Sequence, residues 1–91
     1  MAVIALTLYS RPGCHLCDEM KEIVYPVARQ LGCTVAEIDI SSDPELEAGY
    51  GTEIPVLTIN GRKVFKYRLT ERELRQRLAA ERRSRPSLSI S

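Results

Sequence analysis

Two cysteines stand three residues apart in Cys14-His15-Leu16-Cys17, directly after Ser10-Arg11-Pro12-Gly13. Thiolate, not thiol, is the sulfur nucleophile, so a cysteine becomes reactive where its surroundings favour negative charge. Free amides and the positive end of the helix dipole provide such surroundings at a helix N-terminus. Residues three apart on a helix have Cβ atoms about 5–6 Å from one another, within small adjustments of disulfide geometry. A helix opening at this motif therefore makes Cys14 the nucleophile. Cys17, deeper in a weaker dipole and pushed up by burial, becomes the resolving thiol. Arg11 and His15 flank Cys14 and are candidates to place positive charge beside it; for each, a solvated loop residue is the plain alternative.

The same motif is half of a zinc site. Closing that site takes four ligands, and beyond the motif the chain offers only Cys33 and no second histidine. One chain falls short, so no metal ligand is assigned; a metal or iron–sulfur centre would have to be shared between two chains. Cys33 itself, following Gly32, reads as a small buried hydrophobe.

Elements that could hold the motif are legible on both sides of it. Val3 to Leu8 is almost uninterrupted Val, Ile, Ala, Leu and Thr, a strand of the kind buried on both faces of a sheet. After the Pro-Gly break, Leu16, Met20, Ile23, Val24, Val27 and Leu31 recur at threes and fours, one face of a helix that Gly32 ends. Pro26 removes the donor that would reach Glu22, so a kink or two helical pieces are expected. Thr34 to Ile40 follows as a second strand, its Glu37 and Asp39 side wet. Ser42-Asp43-Pro44 opens a short helix over Glu45 to Ala48, stopped by Gly49. Val56–Ile59 and Lys63–Lys66 flank Asn60-Gly61, the dipeptide of a tight antiparallel hairpin. Thr70 with Glu73 fits a capping box and Leu69 with Leu74 a hydrophobic staple, so a last helix runs from Thr70 to Arg82 or Arg83. The order is a βαβ unit with a parallel strand pair, followed by a ββα unit.

A chain of 91 residues with 44% hydrophobic residues suits one domain, expected over residues 1–83, with a Ser-, Arg- and Pro-rich tail over 84–91 expected to be disordered. No run approaches the roughly 20 apolar residues of a membrane span, and the N-terminus lacks the pattern of a secretory signal, which favours a cytoplasmic location. With 13 basic against 12 acidic side chains, nothing steers the molecule toward nucleic acid. Nothing demands more than a monomer.

Ser10-Arg11-Pro12-Gly13-Cys14-His15-Leu16-Cys17 after a first strand, with Glu53-Ile54-Pro55-Val56-Leu57 before the Asn-Gly hairpin, resembles the glutaredoxin family of the thioredoxin superfamily. The likeness spans roughly residues 3–83 and is nearest to short bacterial glutaredoxin-like proteins. It implies a thioredoxin-like α/β fold, a four-stranded mixed sheet flanked by helices. It also implies that Pro55 is a cis-proline facing the dithiol and that the Ile54 backbone pairs with a bound cysteine-containing substrate. From the residues alone, Pro55 is an ordinary turn proline.

Two departures accompany the likeness. His15 and Leu16 stand where typical glutaredoxins have a proline and an aromatic residue. Lys66-Tyr67-Arg68-Leu69-Thr70 stands where they have a glycine pair followed by acidic residues that help hold glutathione. Tyr67 and Arg68 read as a strand end and a solvated arginine, with substrate contact as the other reading. The function implied is a small thiol–disulfide oxidoreductase, with no bound cofactor and glutathione as a co-substrate left open. Its partners would be a disulfide-containing protein or a low-molecular-weight thiol, and a thioredoxin reductase-type donor. The alternative is a redox-inactive or metal-binding interaction module on the same fold.

Overall fold

The computed structural model describes residues 3–84; the expected tail beyond Ser84 lies outside the described residues. Strand β1 (Ala5–Ser10) turns Leu6, Leu8 and Ser10 inward and Ala5, Thr7 and Tyr9 outward. It is buried on one face rather than on both, because the two long helices pack against the same side of the sheet. Helix α1 (His15–Leu31) supplies Met20, Val24, Val27 and Ala28 to the core. Helix α3 (Glu71–Ser84), ending one residue past the expected domain boundary, adds Leu74 and Leu78. Between them and the sheet lie Ile4, Leu6, Leu8, Leu57 and Ile59.

Helix α1 runs unbroken through Pro26, which is exposed, so the expected division into two pieces does not occur. Proline forfeits one bond to the carbonyl a turn earlier, and the buried residues on either side, Val24 and Val27, hold the helix together. Gly32 closes the helix in the left-handed region at φ 73°, its N–H and that of Cys33 both donating to the Ala28 carbonyl.

Strand β2 (Thr34–Asp39) pairs parallel to β1. In that register Val35 lies beside Leu6 and Glu37 beside Leu8; Glu37 and Asp39 are both exposed, as expected of a wet side, and Glu37 also stands within reach of α1. Glu37 accepts from the Tyr25 hydroxyl at 2.7 Å and pairs with Lys21 Nζ at 3.1 Å. These contacts hold the Glu37 carboxyl below its ordinary range and push Tyr25 up to about 12, chiefly through the shared hydrogen bond.

The chain leaves β2 through a 3₁₀ turn (Ile40–Ser42) into helix α2 (Pro44–Tyr50), capped by Asp43, whose side chain accepts from the Glu45 N–H at 2.9 Å. This helix passes the expected stop at Gly49. Tyr50 extends it by stacking on Tyr9 of β1, with ring centroids 4.5 Å apart. Strands β3 (Val56–Ile59) and β4 (Arg62–Lys66) form the hairpin, with Asn60 at φ 51° and Gly61 at φ 86°, the signs of a type I′ turn. Strand order is β2-β1-β3-β4, with only the β1–β2 pair parallel. The capping box ahead of α3 is formed: the Glu73 N–H donates to Thr70 Oγ1 at 3.1 Å and the Thr70 N–H to Glu73 Oε1 at 3.0 Å.

Candidate active site

Strand β1 delivers the chain to a turn in which the Cys14 N–H donates to the Arg11 carbonyl at 3.2 Å. Pro12 suits the second position of that turn, and Gly13 takes φ 78°, which an L side chain resists. The turn places Cys14 as the N-cap of α1, with extended backbone, and its Sγ accepts from the Cys17 N–H at 3.1 Å. A sulfur thus occupies the place usually held by a serine or aspartate oxygen. Cys14 and Cys17 are joined in a disulfide with their Cα atoms 5.2 Å apart. Cys14 is half-buried, whereas Cys17 is 1% exposed and roofed by the core.

The two flanking side chains, Arg11 and His15, differ in what they touch. The Arg11 guanidinium donates to the Gly51 carbonyl at 2.9 Å and pairs with Glu47 at 3.1 Å, tying the loop before Cys14 to the end of α2. The His15 side chain is 88% exposed, with Nε2 3.4 Å from Glu19 one turn along.

Antiparallel pairing of β1 with β3 sets Tyr9 opposite Val56, so Ile54 and Pro55, next in the chain, lie at the end of the sheet that carries Cys14. The Ile54–Pro55 peptide is cis. The Ile54 N–H donates to the Tyr50 carbonyl at 3.1 Å, and among the described residues nothing donates to the Ile54 carbonyl. Tyr67 reaches the same segment from beyond β4: its N–H donates to the Pro55 carbonyl at 2.9 Å and its hydroxyl to the Thr52 carbonyl at 3.1 Å. Beside the motif, a groove of 460 Å³ runs between α1 and the segment leading into α3, with Leu16, Met20 and Ile23 along one wall and Tyr67 and Arg68 along the other.

Cys14, Cys17, Arg11, Ile54 and Pro55 are therefore gathered at one end of the molecule, with His15 on the first turn of α1. Glu47, Gly51 and the two-point hold of Tyr67 left no sequence signal, since Arg11 and Gly51 are 40 residues apart. Cys33 lies past the far end of α1, a helix about 25 Å long, out of reach of the pair. Burial pushes its thiol up, against an opposing influence from Arg82. Among the described residues no three His, Cys, Asp or Glu side chains gather as a metal-ligand group.

Residues 5–79 match the glutaredoxin-like domain (DUF836). The chain belongs to this glutaredoxin-like family. It is 32% identical over 77 residues to a glutaredoxin-like protein of Dictyostelium discoideum, a match covering 78% of this chain and 71% of the relative. Among solved structures, a protein from X. campestris superposes with a TM-score of 0.71 at 37% identity, over 82% of this chain and 96% of that one. A mutant thioredoxin from Halobacterium salinarum superposes with a TM-score of 0.61 at 24% identity, over 80% of this chain and 69% of its own; that likeness speaks for the thioredoxin fold alone. The glutaredoxin-like family thus brings a thioredoxin-type sheet, and this member carries its cysteine pair at disulfide distance on the first turn of α1.

Proposed function

We propose that this glutaredoxin-like chain is a thiol–disulfide oxidoreductase in which Cys14 attacks and Cys17 resolves. The observation that carries the reading is the asymmetry of the pair: Cys14 is a half-buried helix cap whose sulfur accepts a backbone N–H, and Cys17 is closed off in the core. A hydrogen bond from an amide and the N-terminal dipole both stabilise a thiolate over a thiol. In the reaction, Cys14 Sγ⁻ attacks one sulfur of a substrate disulfide and expels the other as a thiolate, leaving a mixed disulfide. Cys17 Sγ⁻ then attacks Cys14 Sγ, releases the second substrate thiolate and closes the Cys14–Cys17 disulfide. Two electrons pass to the substrate, and a thiol donor, two glutathiones or a reductase dithiol, restores the pair.

Ile54 and Pro55, at the end of the sheet that carries Cys14, suit the docking of the substrate backbone, and Arg11 and His15 flank Cys14 in the chain. Tyr67 and Arg68 fill the place of a glycine pair, which supports a protein disulfide as substrate over glutathione alone. The work is assigned to a reducing compartment, the cytoplasm, where such pairs are catalytic rather than structural.

The test is the reaction of Cys17→Ser with a disulfide. It should halt as a mixed disulfide on Cys14, and Cys14 should alkylate at a pH below the free-thiol value of about 8.5. Wild type should close a reversible Cys14–Cys17 disulfide in glutathione redox buffers. An ordinary thiol that never forms the mixed species overturns the assignment. Stoichiometric metal or iron–sulfur absorption in the purified protein would give the pair to a metal instead.

A further inference from the structure

Tyr67 is an aromatic residue at φ 69°, a left-handed conformation that favours glycine and is an outlier for a bulky side chain. Such a conformation persists only where the surroundings over-determine it. Here the Arg68 N–H donates back to the Lys66 carbonyl at 2.8 Å, closing a tight turn centred on Tyr67, and Lys66 Nζ lies 5.6 Å from the centre of the tyrosine ring. The turn aims both hydrogen-bond donors of Tyr67 at one short segment. Its N–H takes the Pro55 carbonyl and its hydroxyl takes the Thr52 carbonyl. From the other side, the Glu53 and Ile54 N–H groups both donate to the Tyr50 carbonyl, at 2.8 and 3.1 Å. The segment from Thr52 to Pro55 is therefore held by its donors against α2 and by its outer carbonyls against Tyr67. The carbonyls of Glu53 and Ile54 are left as acceptors that nothing fills among the described residues.

We propose that Tyr67 is a positioning residue: by occupying the Thr52 and Pro55 carbonyls it presents the Ile54 carbonyl to the backbone N–H of an extended polypeptide next to the reacting cysteine, and so selects peptide disulfides. The inference rests on the oxidoreductase reading above. Tyr67 touches neither sulfur nor substrate in this scheme; it acts through the 52–55 segment. A small disulfide without amide groups gains nothing from that carbonyl, and the contrast between the two substrates isolates the effect.

The experiment compares wild type, Tyr67→Phe and Tyr67→Gly, each fully reduced and freed of reductant, in single-turnover reaction with two probes. One probe is the symmetrical disulfide of a short cysteine-containing peptide, the other hydroxyethyl disulfide; released thiol reports both. Tyr67→Phe keeps the ring and the bond to Pro55 and loses only the bond to Thr52. Tyr67→Gly also relieves the backbone. In both variants the ratio of peptide to hydroxyethyl disulfide rate constants should fall about fivefold, the scale of one net hydrogen bond. The pH profile of Cys14 alkylation should stay in place. An unchanged ratio, or equal losses on both probes, overturns the positioning role while leaving the oxidoreductase reading standing. A wild-type protein that reduces neither probe overturns the oxidoreductase reading and this one with it.

Discussion

Replacing Arg11 by Met separates two roles that its place beside the cysteine motif suggests: tuning the sulfur, or fastening the loop that carries it. The structure gives its guanidinium two partners, the Gly51 carbonyl at 2.9 Å and Glu47 at 3.1 Å, at a side-chain exposure of 38% for both arginine and glutamate. A half-exposed ion pair contributes about 0.5 kcal/mol, and a hydrogen bond from a charged donor to a carbonyl in the same setting about 1 kcal/mol. Arg11→Met should then lower stability by about 1.5 kcal/mol, or roughly 6–12 °C in Tm for a domain of this size. Urea unfolding of the single variants Arg11→Met and Glu47→Gln and of the double variant should return a coupling of about 0.5 kcal/mol. Because Glu47 offsets the arginine charge, the pH profile of Cys14 alkylation in a Cys17→Ser background should not move with Arg11→Met. Full stability together with a profile displaced to higher pH would refute the fastening role and return Arg11 to the sulfur.

Two further outcomes follow from the supports of the helices. Thr70→Ala removes the hydroxyl that accepts from the Glu73 N–H, while the backbone arm from the residue 70 N–H to Glu73 remains, and should cost about 1 kcal/mol in urea unfolding; an unchanged midpoint would show that the hydroxyl does not cap α3. Tyr25, raised to about 12 from 10.0, binds its proton more tightly in the folded state. Its contribution is present below pH 10 and is lost as pH rises through 12. Wild type should therefore lose about 1 kcal/mol across that window relative to Tyr25→Phe, a figure reduced from the full linkage value for solvent screening, and parallel pH–stability curves for the two proteins would contradict the assignment.

Features written locally could be read from the sequence. The Cys-x-x-Cys spacing, the Asn60-Gly61 turn and the Thr70–Glu73 box each depend on residues within four positions of one another, and each forms as its chemistry dictates. What escaped depends on distant partners. No periodicity tells that Arg11 meets Gly51 and Glu47, or that Tyr50 stacks on Tyr9 and carries α2 past a glycine. Glu37 is exposed, as alternation assigned it, but alternation does not say what stands beside a face, and on this edge strand Tyr25 and Lys21 of α1 reach its carboxylate. Cys14 as a cap was hidden by chemistry of another kind, since sulfur is not among the usual capping atoms. The left-handed turn at Tyr67 was hidden because tyrosine is not a residue that signals one.

The same strand register builds the core and the site. Leu57 and Ile59 of β3 are buried because they stand opposite Leu8 and Leu6, and that pairing sets Val56 opposite Tyr9, one step before the Ile54–Pro55 segment. A slip of one residue would turn Leu57 and Ile59 away from the core and carry Ile54 about 3.3 Å along the sheet from the motif that begins after Ser10. The far end of the pair fastens the register: the Asn60 N–H donates to the Ala5 carbonyl at 2.8 Å, its side-chain oxygen accepts from the Ala5 N–H at 3.0 Å, and its amide donates to Glu81 of α3 at 3.0 Å. Asn60 thus joins β1, the hairpin and α3 at the end of the sheet opposite the cysteines. Because the β1–β3 pair keeps its register from Leu6 to Tyr9, while the β3–β4 pair shifts at Leu57/Thr58, a turn residue remote from the sulfur chemistry helps set where the backbone of Pro55 stands relative to Cys14.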